Sequence, residues 1–123
     1  MATERFTGAQ NDAAVSDADL TGKELRLCKR TSTGVALGGA GDKVDGVISE
    51  GKAAGLHTSF HTGNQLRVLA GEAIAVGDDI GCGANGLART AVAGDDICGQ
   101  AITAASEAGV VFTIEWDQKG LAV

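Results

Sequence analysis

The sequence predicts an all-β domain, a compact small barrel or sandwich with an extended N-terminal arm and short helical turns at most. Three observations carry this. Apolar segments of strand length recur from Lys23 onward, glycine separates them (19 of 123 residues), and the last of them alternates at a period of two. In "VVFTIEW", Val110, Phe112, Ile114 and Trp116 face one side, while Val111, Thr113, Glu115 and Asp117 face the other. That is the pattern of a half-buried strand.

In chain order, residues 1–20 are polar and small, without a sustained period. "NDAAVSDADL" has the composition for one helical turn, but an extended arm suits the whole stretch better, leaving 21–123 as a single β-rich domain. "ELRLC", "KVDGVI", "QLRVLA" and "DICGQAIT" then read as strands, and "HTSFH" joins them through its β-branched and aromatic residues. "SEGKAAGL" and "AASEAG" are candidate single helical turns. An internal echo links the segments that begin at Gly41 and Gly94. Each reads Gly-Asp-x-(Val/Ile)-x-Gly, a short strand, a small-residue loop ending in Gly55 or Gly109, and a second strand reaching Phe60 or Phe112. Such self-similarity predicts two related strand–loop–strand units.

Composition narrows the function. The chain is 44% apolar but holds only three Phe, one Trp and no Tyr, so its core is thin and self-association is expected. Net charge is −6, from 10 basic and 16 acidic residues, which argues against direct nucleic-acid binding. The basic residues gather at Lys23, Arg26, Lys29 and Arg30, where they could meet an acidic protein surface or line a solvated strand edge. No apolar run approaches the roughly 20 residues that span a bilayer, so no membrane partner is expected. "MATERFTGAQ" has no apolar core or cleavage site, which predicts a chain made in a cytoplasm.

Each candidate for chemistry fails on context, and neither a cofactor nor a metal is expected. "GCGANG" contains Gly-x-Gly-x-x-Gly at Gly81, Gly83 and Gly86, yet the interval to Gly94 leaves no room for a crossover helix. Asn85-Gly86 is instead a hairpin signal. The pairs Asp78/Asp79 and Asp95/Asp96 cannot chelate from a strand, where adjacent side chains diverge. With Gly77 and Gly94 before them, Asp78 and Asp95 read as turn residues whose carboxylates cap backbone N–H groups. His57 and His61 lack the Glu of a His-Glu-x-x-His site, with Thr58 in its place, and on a strand they would share a face with Ser59. Cys28, Cys82 and Cys98 show no zinc spacing and read as buried thiols. "GGAGDK" lacks the Lys-Ser/Thr ending of a phosphate loop. An enzyme is not expected.

The order of parts resembles the small capsid decoration, or head cement, proteins of tailed bacteriophages. The likeness runs from about Val44 to Trp116: "DGVISEGKAAG", then "LRVLAGEAIAVGDDIGCGANGLART", then "GDDICGQAITAASEAGVVFTIEW". Its motif positions are Gly71, Ala73, Ile74, Gly77, Asp78 and Ile80, the Asn85-Gly86 hairpin, and Cys98, Gly99, Ala101 and Gly109–Ile114. "HTSFHTGN" departs from the family's plainer strand. The resemblance implies a virion protein on the outer capsid surface, made in the host bacterial cytoplasm. It would bind the major capsid protein of an expanded head as homotrimers at local three-fold positions. On that reading Phe6, Lys23, Arg26, Lys29 and Arg30 are expected to contact the shell, and Trp116 to pack the trimer. A tail or head–tail joining β-protein is the alternative, with a small metal- or nucleotide-binding enzyme on the Gly-Asp-Asp turns behind it.

Overall fold

The computed structural model describes residues 10–122. Their ten strands are β1 (Gln10–Val15), β2 (Leu27–Arg30), β3 (Val35–Leu37), β4 (Gly46–Glu50), β5 (His57–Thr62), β6 (Gln65–Leu69), β7 (Asp79–Cys82), β8 (Ala88–Thr90), β9 (Asp96–Ala101) and β10 (Val111–Leu121). They form two antiparallel five-stranded sheets, ordered β1-β5-β4-β2-β3 and β6-β10-β9-β7-β8. The second order is the first with every number raised by five. The echo between the Gly41 and Gly94 segments is thus the legible part of a repeat that runs through both halves of the chain.

The repeat extends to individual hydrogen bonds. Ser16 N–H donates to Leu56 O at 2.8 Å, and Gly55 N–H donates to Ser16 O at 2.9 Å. In the second half Ala70 N–H donates to Val110 O at 2.9 Å, and Gly109 N–H to Ala70 O at 2.8 Å. Parallel bridges Ser16–Val35 and Ala70–Ala88 join the two outer strands of each sheet, curling it toward a closed barrel. Each half also carries three tight turns, at residues 20–23, 39–42 and 53–56 and at 75–78, 92–95 and 107–110. The third residue of every one is a glycine, with φ of 78°, 80°, 87°, 93°, 93° and 89° in chain order. A turn of this kind needs positive φ there, which glycine adopts without a Cβ clash.

Cross-strand register refines the echo. Phe60 lies opposite Asp12 and Ile48, whereas Ile114 lies opposite Leu66 and Ala101. Phe60 therefore corresponds to Ile114, and Phe112 corresponds to Thr58, two residues from the pairing that the sequence suggests. Thr58 is fully buried in place of that aromatic ring. Its hydroxyl accepts from Lys52 N–H at 2.9 Å and lies 2.6 Å from Ser16 Oγ, which donates to Leu56 O at 2.8 Å. A short relay of satisfied polar groups stands where the second half has Ala70 and Phe112.

The halves have unequal cores. Leu20, Cys28, Val35, Ile48 and Phe60 make up the first. The second gathers Leu66, Val68, Ile74, Ile80, Cys82, Phe112, Ile114 and others, and it also takes Leu27, Val44 and Val47 from the first half. On β2, Leu27 therefore faces one core and Cys28 the other; on β4, Val47 and Ile48 divide in the same way. Strands buried on both faces read as unbroken apolar runs.

The N-terminal stretch departs from expectation. Gln10–Val15 is an edge strand paired along its length with β5, and Leu20 is 1% exposed in the first core. Residues 10–20 thus belong to the β-domain, so the expected boundary at residue 20 does not separate an arm from it. The residues look arm-like because an edge strand tolerates polar side chains, and β1 packs on the first core through Ala14. Residues 1–9, with Phe6, lie outside the described residues. "SEGKAAGL" and "AASEAG" form glycine turns, and the helical structure among the described residues is one 3-10 turn at Ala84–Gly86.

Gly46 and Gly99 hold equivalent central positions, opposite Cys28 and Ile80. A Cβ would press on the carbonyl oxygen of His61 at Gly46 and of Glu115 at Gly99, whereas one at Gly55 meets nothing within 4 Å. Gly46→Ala and Gly99→Ala should each cost about 2 kcal/mol or more in urea unfolding. Gly55→Ala should cost about 1 kcal/mol, for its positive φ alone. Equal costs at the three sites would contradict this packing.

Candidate interaction surfaces

The basic cluster expected at the shell does not form one free patch. Lys29 and Arg30 leave opposite faces of β2, as neighbouring strand residues must. Lys29 Nζ lies 2.6 Å from Asp42 Oδ2, while Arg30 pairs with Asp12 and sits 5.1 Å above the Phe60 ring, capping the first core. Arg26 donates from Nη1 to Asn85 O at 3.2 Å, tying the first half to the β7–β8 hairpin. Lys23 closes the first glycine turn, with its N–H donating to Leu20 O. Trp116 is half-buried on the second core, and its N–H donates to Asn64 O at 2.5 Å.

The Gly-Asp pairs share one geometry. In the turns at 39–42, 75–78 and 92–95 the carboxylate reaches back to the N–H of the first turn residue: Gly39 to Asp42 at 2.8 Å, Ala75 to Asp78 at 3.0 Å, and Val92 to Asp95 at 3.2 Å. Gly77 and Gly94 supply the positive φ, and Asp79 and Asp96 then open strands β7 and β9. Asn85 (φ 59°) and Gly86 (φ 73°) turn the chain between β7 and β8, and Gly86 N–H donates to Gly38 O of the first half.

Asp95 carries the most enclosed charge. Strands β8 and β9 both run antiparallel to β7, so the connection between them crosses β7. It crosses above Gly81, where a Cβ would lie 2.9 Å from Asp95 Oδ2. Arg89 of β8 faces the same side and grips Asp95 with two bonds, Nε–Oδ2 at 3.1 Å and Nη2–Oδ1 at 2.8 Å. The Asp95 side chain is 4% exposed. Those bonds from Arg89 hold its carboxyl below the usual range, against the opposing effect of burial. In the first half Asp42 does the same work over β2, with Lys29 holding its carboxyl low. There the cation comes from the central strand itself, at the position Gly81 occupies in the second half. Arg89 was not legible as a partner, because the echo does not reach β8.

The remaining candidates are dispersed. His57, Ser59 and His61 lie along one face of β5, the face that Val47 shares on β4, and the two imidazoles stand roughly 13 Å apart. No group of three His, Cys, Asp or Glu among the described residues is arranged to hold a metal ion. Burial pushes the Cys28, Cys82 and Cys98 thiols up to about 12, which keeps them protonated at neutral pH. Asp45 adds to that effect at Cys28.

Two surface features were not singled out from sequence. At one end of the second half, Gly77 N–H donates to Ala101 O and Ile74 bridges to Ala105, setting the 75–78 turn beside residues 102–105. Val76 (63% exposed) and Ile102 (38%) stand there, with Ala73, Ala75 and Ala104 exposed around them. The matching end of the first half carries Asp17, Asp19, Lys23 and Lys52 instead. The other feature is a groove of about 300 Å³ between the sheets, floored by Leu25, Val47 and Leu66 and walled by His61.

No protein-family profile matches the sequence, and no curated protein matches it. Among solved structures the fold is similar to the N base of head fiber gp8.5 in bacteriophage phi29. The TM-score is 0.75 at 20% identity, over 94% of this chain and 99% of that one.

Because folding lowers the Asp95 carboxyl, its ion pair stabilises the fold above the ordinary carboxyl value of about 4 and loses that contribution as pH falls through the lowered value. Asp95→Asn should therefore cost about 2 kcal/mol at pH 7. The gap from the parent chain should narrow in acid. Denaturant titrations at neutral and acid pH check both parts, and a gap that does not change with pH would contradict the assignment.

Proposed function

We propose that this chain is a non-enzymatic structural protein of a tailed-phage particle, bound to the outside of the head. The observation that carries the reading is the fold likeness to a phage head-fiber base across nearly the full length of both chains. The chemistry of the described residues supports it. The Gly-Asp carboxylates are engaged in turns and ion pairs, the thiols are buried and protonated, and the histidines are spread along one strand.

On this reading the protein binds the major capsid protein of an expanded shell and cements neighbouring subunits, probing for contact with the apolar tip at Val76 and Ile102 and with Lys23. Lys29 and Arg30, held by Asp42 and Asp12, shape the surface rather than reach across it. Self-association as a homotrimer uses the half-exposed Trp116. Many equivalent copies convert a modest contact into shell stability. A second reading has one observation in its favour: the similar structure is the base of a head fiber, and on that reading the domain seats an appendage and does not cement the shell.

Mixing the protein with undecorated expanded heads tests both. Co-sedimentation together with a raised head-melting temperature supports cementing, and co-sedimentation with unchanged melting supports the base of an appendage. No binding to any expanded head, at concentrations where the protein is folded, would overturn the proposal. Val76→Asp with Ile102→Asp should weaken head binding at least about tenfold while the urea midpoint stays put, since exposed side chains contribute little to folding.

A further inference from the structure

We infer that the apolar tip at Val76 and Ile102 docks a basic-flanked apolar segment of the capsid surface, one that offers an aliphatic or aromatic side chain with lysine or arginine beside it. This rests on the reading of the chain as a head-bound protein and adds the chemistry of its partner. The two segments that build the tip, residues 71–79 and 100–110, hold Glu72, Asp78, Asp79 and Glu107 and no lysine or arginine. Lys119 answers Asp79 at 3.4 Å, whereas Glu72, Asp78 and Glu107 enter no ion pair among the described residues. Three carboxylates without a cation therefore border Val76, Ile102 and the exposed Ala73, Ala75 and Ala104.

The fold holds this arrangement in place. Ile74 and Ala105 are buried beneath the tip and exchange two backbone bonds, Ile74 N–H to Ala105 O at 2.8 Å and Ala105 N–H to Ile74 O at 3.0 Å. Thr90 of β8 anchors two of the carboxylates. Its N–H donates to Glu72 Oε2 at 3.1 Å, and its hydroxyl donates to Asp78 Oδ2 at 3.1 Å. Gly109 N–H donates to Ala70 O at 2.8 Å, which sets the 107–110 turn, and Glu107 with it, beside the chain leading to Glu72. A surface ordered before contact loses less freedom on binding.

Charge selects the occupant. An acidic tip on a chain of net charge −6 is repelled by nucleic-acid phosphates and by anionic lipid head groups. Tip-to-tip contact with a second copy would bring two sets of like charges together. A basic-flanked apolar segment meets the apolar centre and the acidic border at once, the usual division between the middle and the rim of an interface. The matching end of the first half mixes Asp17 and Asp19 with Lys23 and Lys52, so it does not make the same selection.

Binding of the parent chain, Glu107→Lys and Asp117→Lys to undecorated expanded heads, at low and high salt, tests this. Both substitutions are at exposed positions and change net charge equally, and the urea midpoint should stay put for each. Asp117 lies four residues beyond Thr113, whose carbonyl accepts from Ile102 N–H, so it stands about 13 Å from the tip. Glu107→Lys should weaken binding about fivefold or more at roughly 20 mM salt, and the gap should close at roughly 500 mM as the charges are screened. Asp117→Lys should bind as the parent does. If heads bind the parent chain but Glu107→Lys does not weaken binding, or Asp117→Lys weakens it equally, the inference is overturned while head binding stands. If the parent chain binds no expanded head, the underlying reading falls and the inference with it. Glu107→Lys that alters sedimentation of the free protein and leaves head binding unchanged would assign the tip to a second copy and overturn the inference equally.

Discussion

Strands β2 and β4 must be covered on both faces, and the rest of the fold follows from that. Leu27 and Val47 turn toward the second core, Cys28 and Ile48 toward the first. Among the described residues the first half has five buried residues in its own core cluster, too few to stabilise a sheet of that size. Its central strands therefore lean on the second half, which in turn completes its core with Leu27, Val44 and Val47. Gly86 marks how closely the halves approach: a Cβ there would lie 2.6 Å from Leu27 O. The two repeats are similar in topology and dependent in energy.

Within that frame the halves have diverged in ways that matter for surfaces. Both use an aspartate at the end of a glycine turn to pin a connection over a central strand. Lys29 answers Asp42 from β2, while Gly81 clears space so that Arg89 can answer Asp95 from β8. The first half buries a hydroxyl relay through Ser16 and Thr58, and the second buries Phe112. One end of the second half is apolar where the first is charged. Equivalent backbones thus carry an apolar end in the second half, at Val76 and Ile102, and a charged one in the first.

Much of this was legible in the sequence, for identifiable reasons. The period-2 run through Phe112 and Ile114 and the glycine spacing gave the class and most strands, because positive φ at the third turn residue restricts what can stand there. Asp78, Asp95, Asn85 and Gly86 were readable because turn chemistry is local. β1 was not, since an edge strand carrying Gln10, Asn11 and Asp12 lacks an apolar period. The ties of Lys29 to Asp42, Arg30 to Asp12 and Arg89 to Asp95 escaped for another reason: each depends on how strands are ordered in a sheet. The full repeat was hidden because its first copy holds Thr58 where the second holds Phe112, so the most visible residues do not align.

Because β2 and β4 serve both cores, the two halves should unfold as one unit. Equilibrium urea unfolding followed by Trp116 fluorescence, which reports the second half, and by the amide signals of Cys28 and Phe60, which report the first, measures this directly. Coincident transitions are expected, with Leu27→Ala moving all of them together by about 3 kcal/mol. If Cys28 and Phe60 lose their native signals at lower urea than Trp116, or Leu27→Ala shifts only one half, the shared strands do not couple the two cores and the account is wrong.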